Sequence, residues 1–192
     1  ARSGEEEPRE LSDQEVLEAL ELASAHDALL DPVLEMELAD IAARWDEEQR
    51  ENAALNERFR HLLTDPHTST KTSERLLEHG LLTALLPEFE PLVCHVQHDV
   101  YHVYTTDIHS LKCLERGRAL VSEDDVEINW PFFQKVADEI EQIDVFLLAC
   151  LFHDIGKNRS EDHSRLGAKM MTDVGRRLGL ETSQIDQLAF LV

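Results

Sequence analysis

An unbroken apolar run, Val145–Phe152, constrains the fold of this 192-residue sequence more than any other feature. The run has no polar face, so we expect a helix that is buried on every side at the centre of the molecule. It ends directly in His153, Asp154, Ile155, Gly156 and Lys157. A carboxylate at the end of a buried helix is costly to desolvate unless a positive charge pairs with it. The run therefore predicts a core helix with a charged site at its end.

Composition and capping signals favour helices along the rest of the chain. Gly 7 and Pro 6 are too few for the turns of a β-sandwich or barrel, and Leu, Ala and Glu are abundant, so we predict an all-α fold. Ser12 opens a capping box, and Asp31-Pro32 is typical of a second helix start. The second segment continues either as one long helix to Pro66 or as two helices with a break near Asn52. Further helices are predicted over residues 72–80, 107–120 and 162–178, after residue 131 and from residue 182.

The charge balance limits the partners of the protein. Lys and Arg number 18 and Asp and Glu number 40, and the formal net charge of −22 repels nucleic-acid backbones and anionic lipid surfaces. We therefore predict no nucleic-acid partner and no membrane association. No apolar stretch approaches the roughly 20 residues that span a bilayer, and residues 1–10 are polar and lack a signal peptide, so we predict a cytoplasmic protein. Residues 157–177 are locally basic, so a single phosphodiester can still bind there.

Cysteine and tyrosine residues are assigned structural roles. Cys94, Cys113 and Cys150 are odd in number and widely spaced, so we expect reduced, half-buried thiols and neither disulfides nor a thiolate zinc site. Tyr101 and Tyr104 are expected to anchor the core, within an extended connector over residues 100–105. A charged loop is predicted over residues 122–129.

The residues around the apolar run form a candidate metal site. A divalent ion would neutralise Asp154, and adjacent side chains such as His153 and Asp154 can reach one ion from two directions. His109 on a separate predicted helix and His163 at the start of the following helix offer further nitrogen ligands. Nitrogen and oxygen ligands suit Mn, Fe, Zn or Mg better than soft metals. The pattern also fits a plain helix end, at which His153 interacts with the helix dipole and Lys157 faces solvent.

At these positions the sequence resembles a known family. His109, the pair His153-Asp154 and the following Gly156-Lys157 are similar to the HD superfamily of metal-dependent phosphohydrolases. More narrowly, the HD region of the bifunctional PII uridylyltransferase/uridylyl-removing enzymes is similar over three segments, residues 80–89, 97–111 and 156–168. The resemblance implies an all-helical HD domain that binds a divalent metal.

The resemblance also implies a reaction and a partner. Members of the family hydrolyse the UMP-tyrosine phosphodiester of the signalling protein PII in nitrogen metabolism, so uridylylated PII is the implied partner. The implied metal ligands are His109, His153, Asp154 and His163, the last for a second ion or the leaving group. Asp154 and Lys157 are implied to be catalytic, and Lys157 and Arg159 are implied to contact the substrate phosphate.

Two departures from the family predict a partial protein. The nucleotidyltransferase domain and the ligand-sensing ACT domains of the family are absent from the sequence, and the last helix stops at Val192, where the family presents a His-His pair and then a final Asp ligand. We therefore expect an excised piece with weak or no activity, divided into a helical extension (1–66) and an incomplete HD domain (67–192). Two alternatives stay open, namely an HD-type hydrolase of a free or cyclic nucleotide and a non-catalytic helical module. The metal and the oligomeric state are left open as well.

Overall fold

Every regular element that the structure describes is a helix, which confirms the all-α prediction. The computed structural model describes residues 11–96, 104–122, 131–157 and 163–192. In chain order these ranges contain α1 (Asp13–Ala25), α2 (Pro32–Arg44), α3 (Glu47–Glu51), α4 (Ala53–Thr64), α5 (Thr70–Glu78), α6 (Leu81–Leu85), a 3₁₀ helix (Pro87–Leu92), α7 (Thr106–Ser122), α8 (Pro131–Ala137), α9 (Ile143–Phe152), α10 (His163–Arg177) and α11 (Thr182–Leu191). None of the helices in these ranges has the length and apolar character needed to cross a membrane.

The first two helices begin where the capping patterns predict. The Glu15 N–H donates to Ser12 Oγ over 3.4 Å, and the Glu15 carboxylate accepts from the Ser12 N–H over 2.9 Å, which completes the capping box. Asp31 Oδ1 accepts from the Val33 N–H over 2.8 Å, and Pro32 occupies the first turn of α2. These bonds satisfy N–H groups that a helix start otherwise leaves without partners.

The chain after α2 is interrupted twice, so a single helix running to Pro66 is wrong and the predicted break near Asn52 is confirmed. Trp45 leaves the helical conformation and buries its indole, whose Nε1–H donates to Asp13 Oδ1 over 2.6 Å. Asp46 then caps α3, and Asn52 caps α4, each by accepting from a following N–H group. Burial of Trp45 thus overrides a helical periodicity that continues through the break.

Polar caps and glycines set the bounds of the later helices. α5 begins earlier than the predicted residue 72, because the Ser69 hydroxyl accepts from the Thr72 N–H and caps the helix. Gly80 follows α5 with φ of 79°, and Gly179 follows α10 with φ of 71°. Both glycines therefore adopt the left-handed conformation that ends helices, close to the ends predicted at residues 80 and 178.

α9 is the predicted core helix and lies at the centre of the packing. It packs against α7, α4 and α11, and the buried side chains of its apolar run include Val145, Leu148 and Phe152, each at most 1% exposed. α7 approaches it closely at Gly117, where an added Cβ would lie 3.0 Å from Cys150 Sγ. The absence of a side chain at Gly117 therefore sets the distance between the two helices.

Helices from both predicted segments, 1–66 and 67–192, contribute to one hydrophobic core. The buried guanidinium of Arg118 on α7 donates to the carbonyls of Leu62 and Leu63 at the end of α4, over 3.2 and 2.7 Å. It also donates to Ser73 Oγ over 2.6 Å. Burial lowers the pKa of Arg118 to about 10. These contacts hold α7 firmly against the N-terminal helices.

Several sequence predictions concern residues near the surface. Tyr104 is 50% exposed and carries Lys112 Nζ 5.1 Å from its ring centroid, so its predicted role as a core anchor is wrong. The reason is its place before α7, where the ring lies over a solvent-facing lysine of that helix. Cys94 lies past the end of the 3₁₀ helix and is exposed, so the prediction of a half-buried thiol is wrong for it, whereas Cys113 and Cys150 are half-buried as predicted. Tyr101, most of the predicted connector over 100–105 and nearly all of the predicted loop over 122–129 lie outside the described residues.

Candidate metal centre

The N-terminal end of α7, which carries His109, is anchored to the preceding segment. The buried Asp107 carboxylate accepts from the Cys94 N–H and from the Ile108 N–H, each over 2.8 Å. The His109 N–H donates to the carbonyl of Thr105 over 2.9 Å within the first turn. These bonds fix the start of the helix, so that His109 projects from a rigid backbone.

His153 and Asp154 follow α9, where the chain leaves the core in a tight turn. The Ile155 N–H donates to the Phe152 carbonyl over 2.8 Å, and the Lys157 N–H donates to the Asp154 carbonyl over 2.9 Å. Ile155 is fully buried and anchors the turn beneath the site. The apolar run thus ends in a backbone that holds both polar side chains at the edge of the core.

Three side chains converge at this edge. His109 Nε2 lies 3.2 Å from His153 Nε2, and the two rings meet edge to face. Asp154 Oδ2 lies 3.4 Å from His153 Nε2 and 3.9 Å from His109 Nε2. Among the described residues, these three are the group of His, Cys, Asp and Glu side chains that could hold a metal ion. We refer to them as the His-His-Asp cluster.

The donor atoms of the cluster fit a divalent cation. Ligand atoms about 2.1 Å from one ion are about 3.0 Å apart in an octahedral site and about 3.4 Å apart in a tetrahedral one. Two of the three separations, 3.2 and 3.4 Å, match these values, and the third, 3.9 Å, needs only a small side-chain rotation. Two imidazole nitrogens with one carboxylate oxygen suit Mn, Fe or Zn.

A backbone contact directs His153 toward this position. Its Nδ1–H donates to the carbonyl of Cys150 over 2.9 Å, because a carbonyl can only accept. In the neutral ring, Nε2 therefore carries the lone pair that a metal requires, on the side that faces His109 and Asp154. Outer contacts of this kind orient the imidazole ligands of metal sites in general.

The electrostatics of the cluster centre on one carboxylate oxygen. Burial alone would raise the pKa of Asp154, but hydrogen bonds from His153 and Lys157 outweigh burial and hold that pKa well below its ordinary value. The Lys157 ammonium lies 2.8 Å from the same Oδ2. Hydrogen bonds to Asp154 and to Cys113 raise the pKa of His153 to about 10 despite its burial. Without a metal ion, Asp154 is thus anionic and His153 carries a proton at neutral pH.

Comparison with known families identifies the domain around this cluster. A sequence model of the HD domain family matches residues 106–190, which span α7 to α11 and include all three members of the cluster. This chain carries an HD domain. The predicted all-α HD fold is thereby confirmed.

Curated relatives show which proteins this chain is similar to. Over 136 residues the chain is 32% identical to a bifunctional uridylyltransferase/uridylyl-removing enzyme of Haemophilus influenzae. This alignment covers 71% of this chain and 16% of the relative. It is 33% identical over 147 residues to the enzyme of that name from Cereibacter sphaeroides, covering 77% of this chain and 16% of the relative. The identity is 36% over 135 residues for the Chromobacterium violaceum enzyme, with 70% and 16% covered. The chain therefore spans a small part of the length of these relatives.

The HD domain brings together some of the predicted site residues. His109, His153 and Asp154 meet as the sequence predicts. Lys157 contacts Asp154, and its side chain is 24% exposed, so it is not the solvent-facing lysine of the alternative interpretation. His163 begins α10, but its side chain and the whole of Arg159 lie outside the described residues.

Sequence reasoning missed the two thiols beside the His-His-Asp cluster. Hydrogen bonds from Cys150 and His153 lower the pKa of Cys113 to about 5 despite its burial. The hydrogen bond to Cys113 and burial both raise the pKa of Cys150. The available signal was spacing: Cys113 follows His109 by one helical turn, and Cys150 precedes His153 by nearly one turn.

Proposed function

We propose that this chain provides the metal-dependent phosphohydrolase centre of a uridylyl-removing enzyme, which releases UMP from a tyrosine of uridylylated PII. The observation that carries the proposal is the convergence of His109 Nε2, His153 Nε2 and Asp154 Oδ2 in an HD domain. The names of the relatives support the choice of uridylyl removal among HD reactions.

His109, His153 and Asp154 would hold a divalent ion, with Mn, Fe, Zn and Mg as candidates. Such an ion polarises phosphoryl oxygens and lowers the pKa of a bound water toward neutrality. Asp154 supplies negative charge to the site, since its pKa is held low by the cations around it. His153 keeps its orientation through Cys150, because its Nδ1–H donates to that carbonyl over 2.9 Å.

We assign Lys157 to the phosphate of the substrate. Its ammonium already lies 2.8 Å from Asp154 Oδ2, so it is held at the edge of the ligand set where a phosphodiester oxygen would arrive. Arg159 is proposed as a second phosphate contact, and His163 as a ligand for a second ion or a partner of the leaving group. Residues 157–177 hold six basic and three acidic side chains, which offsets locally the net charge of −22.

The division of the chain is also a proposal. Residues 67–192 would contain the HD domain with its lead-in, and residues 1–66 would be a helical extension that packs against it. The hydrogen bonds of Arg118 to the end of α4 support a firm connection between the two. Uridylylated PII is the proposed partner, and the cytoplasm the proposed location.

The experiment combines metal analysis with a hydrolysis assay. The chain is stripped with a chelator, reloaded with Mn²⁺ and incubated with uridylylated PII, and released UMP is quantified. We expect slow UMP release that requires the metal and disappears in Asp154→Asn. The matched control is Asp144→Asn, at the opposite end of α9, where Asp144 Oδ2 contacts Arg60 and Gln184.

Two outcomes would contradict the proposal. Faster metal-dependent hydrolysis of free or cyclic nucleotides than of uridylylated PII would favour a nucleotide hydrolase. Absence of metal binding in the chain, and in a longer protein that extends past Val192, would favour a non-catalytic helical module.

A further inference from the structure

Two cysteines lie beside the His-His-Asp cluster, one on α7, which carries His109, and one on α9, which precedes His153 and Asp154. Cys113 stands one turn after His109 on α7, and Cys150, in the last turn of α9, stands nearly one turn before His153. The two thiols share a hydrogen bond and are both half-buried. The third cysteine, Cys94, is exposed on a different segment.

The backbone packing holds this thiol pair together. At Gly117, one turn beyond Cys113 on α7, an added Cβ would lie 3.0 Å from Cys150 Sγ and 3.2 Å from Leu147 Cδ2. The sulfur of Cys150 therefore rests against the backbone of α7, close to Cys113. Because rigid helices set this contact, the two sulfurs meet without rearrangement of long, flexible side chains.

We propose that Cys113 and Cys150 form an oxidation site, at which a peroxide converts the two thiols into a disulfide that joins α7 to α9. One sulfur attacks a peroxide oxygen, the O–O bond breaks, and a sulfenic acid and one water form for hydrogen peroxide. The second sulfur attacks the sulfenic sulfur, the S–O bond breaks, and a second water leaves. The two sulfurs together lose two electrons, which reduce the peroxide, and both thiol protons end in water.

The disulfide would alter the surroundings of His153. Cys113 accepts hydrogen bonds from His153 and from Cys150, and the Cys150 carbonyl accepts from His153 Nδ1 over 2.9 Å. A disulfide requires a sulfur separation of about 2.0 Å, shorter than any thiol hydrogen bond. The Cys113 sulfur must therefore move toward Cys150, which alters its contact with the imidazole. We expect weaker metal binding as the result, and this consequence rests on the proposed function.

The first experiment tests the disulfide itself. The reduced chain is treated with hydrogen peroxide, and intact mass, free-thiol titration and peptide mapping are compared before and after. We expect the loss of two hydrogens and a cross-linked peptide pair containing Cys113 and Cys150. Cys94→Ser is the matched control and should behave as the parent. Cys113→Ser and Cys150→Ser should each abolish the cross-link.

Retention of the helical circular dichroism signal verifies that the serine variants are folded, and Cys150→Ala replaces Cys150→Ser if the hydroxyl disturbs packing. An unchanged pair of free thiols at Cys113 and Cys150 after peroxide treatment would overturn the proposal. So would a cross-link that uses Cys94, or sulfinic acid at Cys113 without any disulfide.

The second experiment measures Mn²⁺ affinity of the reduced and oxidised chains after removal of peroxide. Mn²⁺ is chosen because it favours nitrogen and oxygen over thiolate ligands. We expect about tenfold weaker binding after oxidation, the lower limit for loss of an outer contact to a metal ligand. Equal affinity of the two forms would refute the coupling to the metal site and leave the proposed function intact. A disulfide in a chain that binds no metal in either form, together with absence of metal binding in a longer protein that extends past Val192, would refute the proposed function and leave the oxidation site intact.

Discussion

Replacing Asp154 with Asn separates the charge of the cluster from its shape. The amide has nearly the same shape as the carboxylate, but it lacks the negative charge that faces Lys157, His153 and His109. Asp154 Oδ2 lies 2.8 Å from Lys157 Nζ, 3.4 Å from His153 Nε2 and 3.9 Å from His109 Nε2. Asp154→Asn should therefore weaken metal binding and, in the metal-free protein, leave two neighbouring cations without their counterion.

The size of both effects follows from these contacts. Loss of a group that only orients a ligand lowers metal affinity by about 10- to 100-fold, so loss of the ligand should lower it by at least about 100-fold, or about 2.8 kcal/mol. Breaking a buried ion pair costs about 3–5 kcal/mol of stability. The His153 and Lys157 side chains are 31% and 24% exposed, and solvent screens the charges left behind, so we expect about 2 kcal/mol here.

Isothermal titration with Mn²⁺ measures the first effect, and thermal unfolding of the chelator-treated protein measures the second. A loss of about 2 kcal/mol corresponds to a melting temperature lower by about 4–8 °C in a chain of this size. Asp144→Asn is the control, because it removes a carboxylate from the other end of α9 and should keep wild-type Mn²⁺ affinity. Wild-type Mn²⁺ affinity in Asp154→Asn would refute the assignment of this carboxylate as a ligand.

Four further predictions concern the same helices. Because the pKa of His153 is raised to about 10, metal must displace a proton, so apparent Mn²⁺ affinity should rise by up to about tenfold per pH unit between pH 7 and 9, measured by titration. In denaturant titrations, the metal-free protein should lose stability from pH 7 to pH 9. The unfolded His153 ring, with a pKa of about 6.5, has already lost its proton in this range, whereas the folded ring keeps it, so folding becomes less favourable as the pH approaches the pKa of the folded state. Arg118→Met removes donors to three buried oxygens and should cost about 3 kcal/mol in urea unfolding, whereas the exposed Arg116→Met should cost less than about 0.5 kcal/mol. Gly117→Ala should destabilise by about 1–3 kcal/mol in the same assay, because the added Cβ would lie 3.0 Å from Cys150 Sγ.

Specific outcomes would contradict these predictions. A Mn²⁺ affinity that is flat between pH 7 and 9 would show that His153 is not protonated before metal binds. Equal urea midpoints for Arg118→Met and Arg116→Met would remove the case for a structural role of the buried guanidinium. A stabilised Gly117→Ala protein would indicate ordinary helix propensity, about 1 kcal/mol in favour of alanine, and no close contact between α7 and α9.

Local signals predicted most of the fold. The capping box at Ser12, the Asp31-Pro32 start and the left-handed glycine at position 80 act over one helical turn, so neighbouring residues suffice to identify them. The errors arose where distant residues decide. Trp45 interrupts a periodic segment because its indole reaches Asp13 in α1, and Tyr104 lies at the surface beside Lys112 instead of in the core.

In the candidate site, too, some features follow from the local sequence and others from contacts between distant residues. The run Val145–Phe152 and the pair His153-Asp154 were enough to predict a core helix with a polar end, because apolar character and desolvation cost are properties of the residues themselves. The tertiary structure alone decided that His109 lies 3.2 Å from His153 and that the two half-buried thiols meet. Both contacts depend on how closely α7 and α9 approach at Gly117. That distance is set by packing between segments far apart in the chain, on which local propensity has no influence.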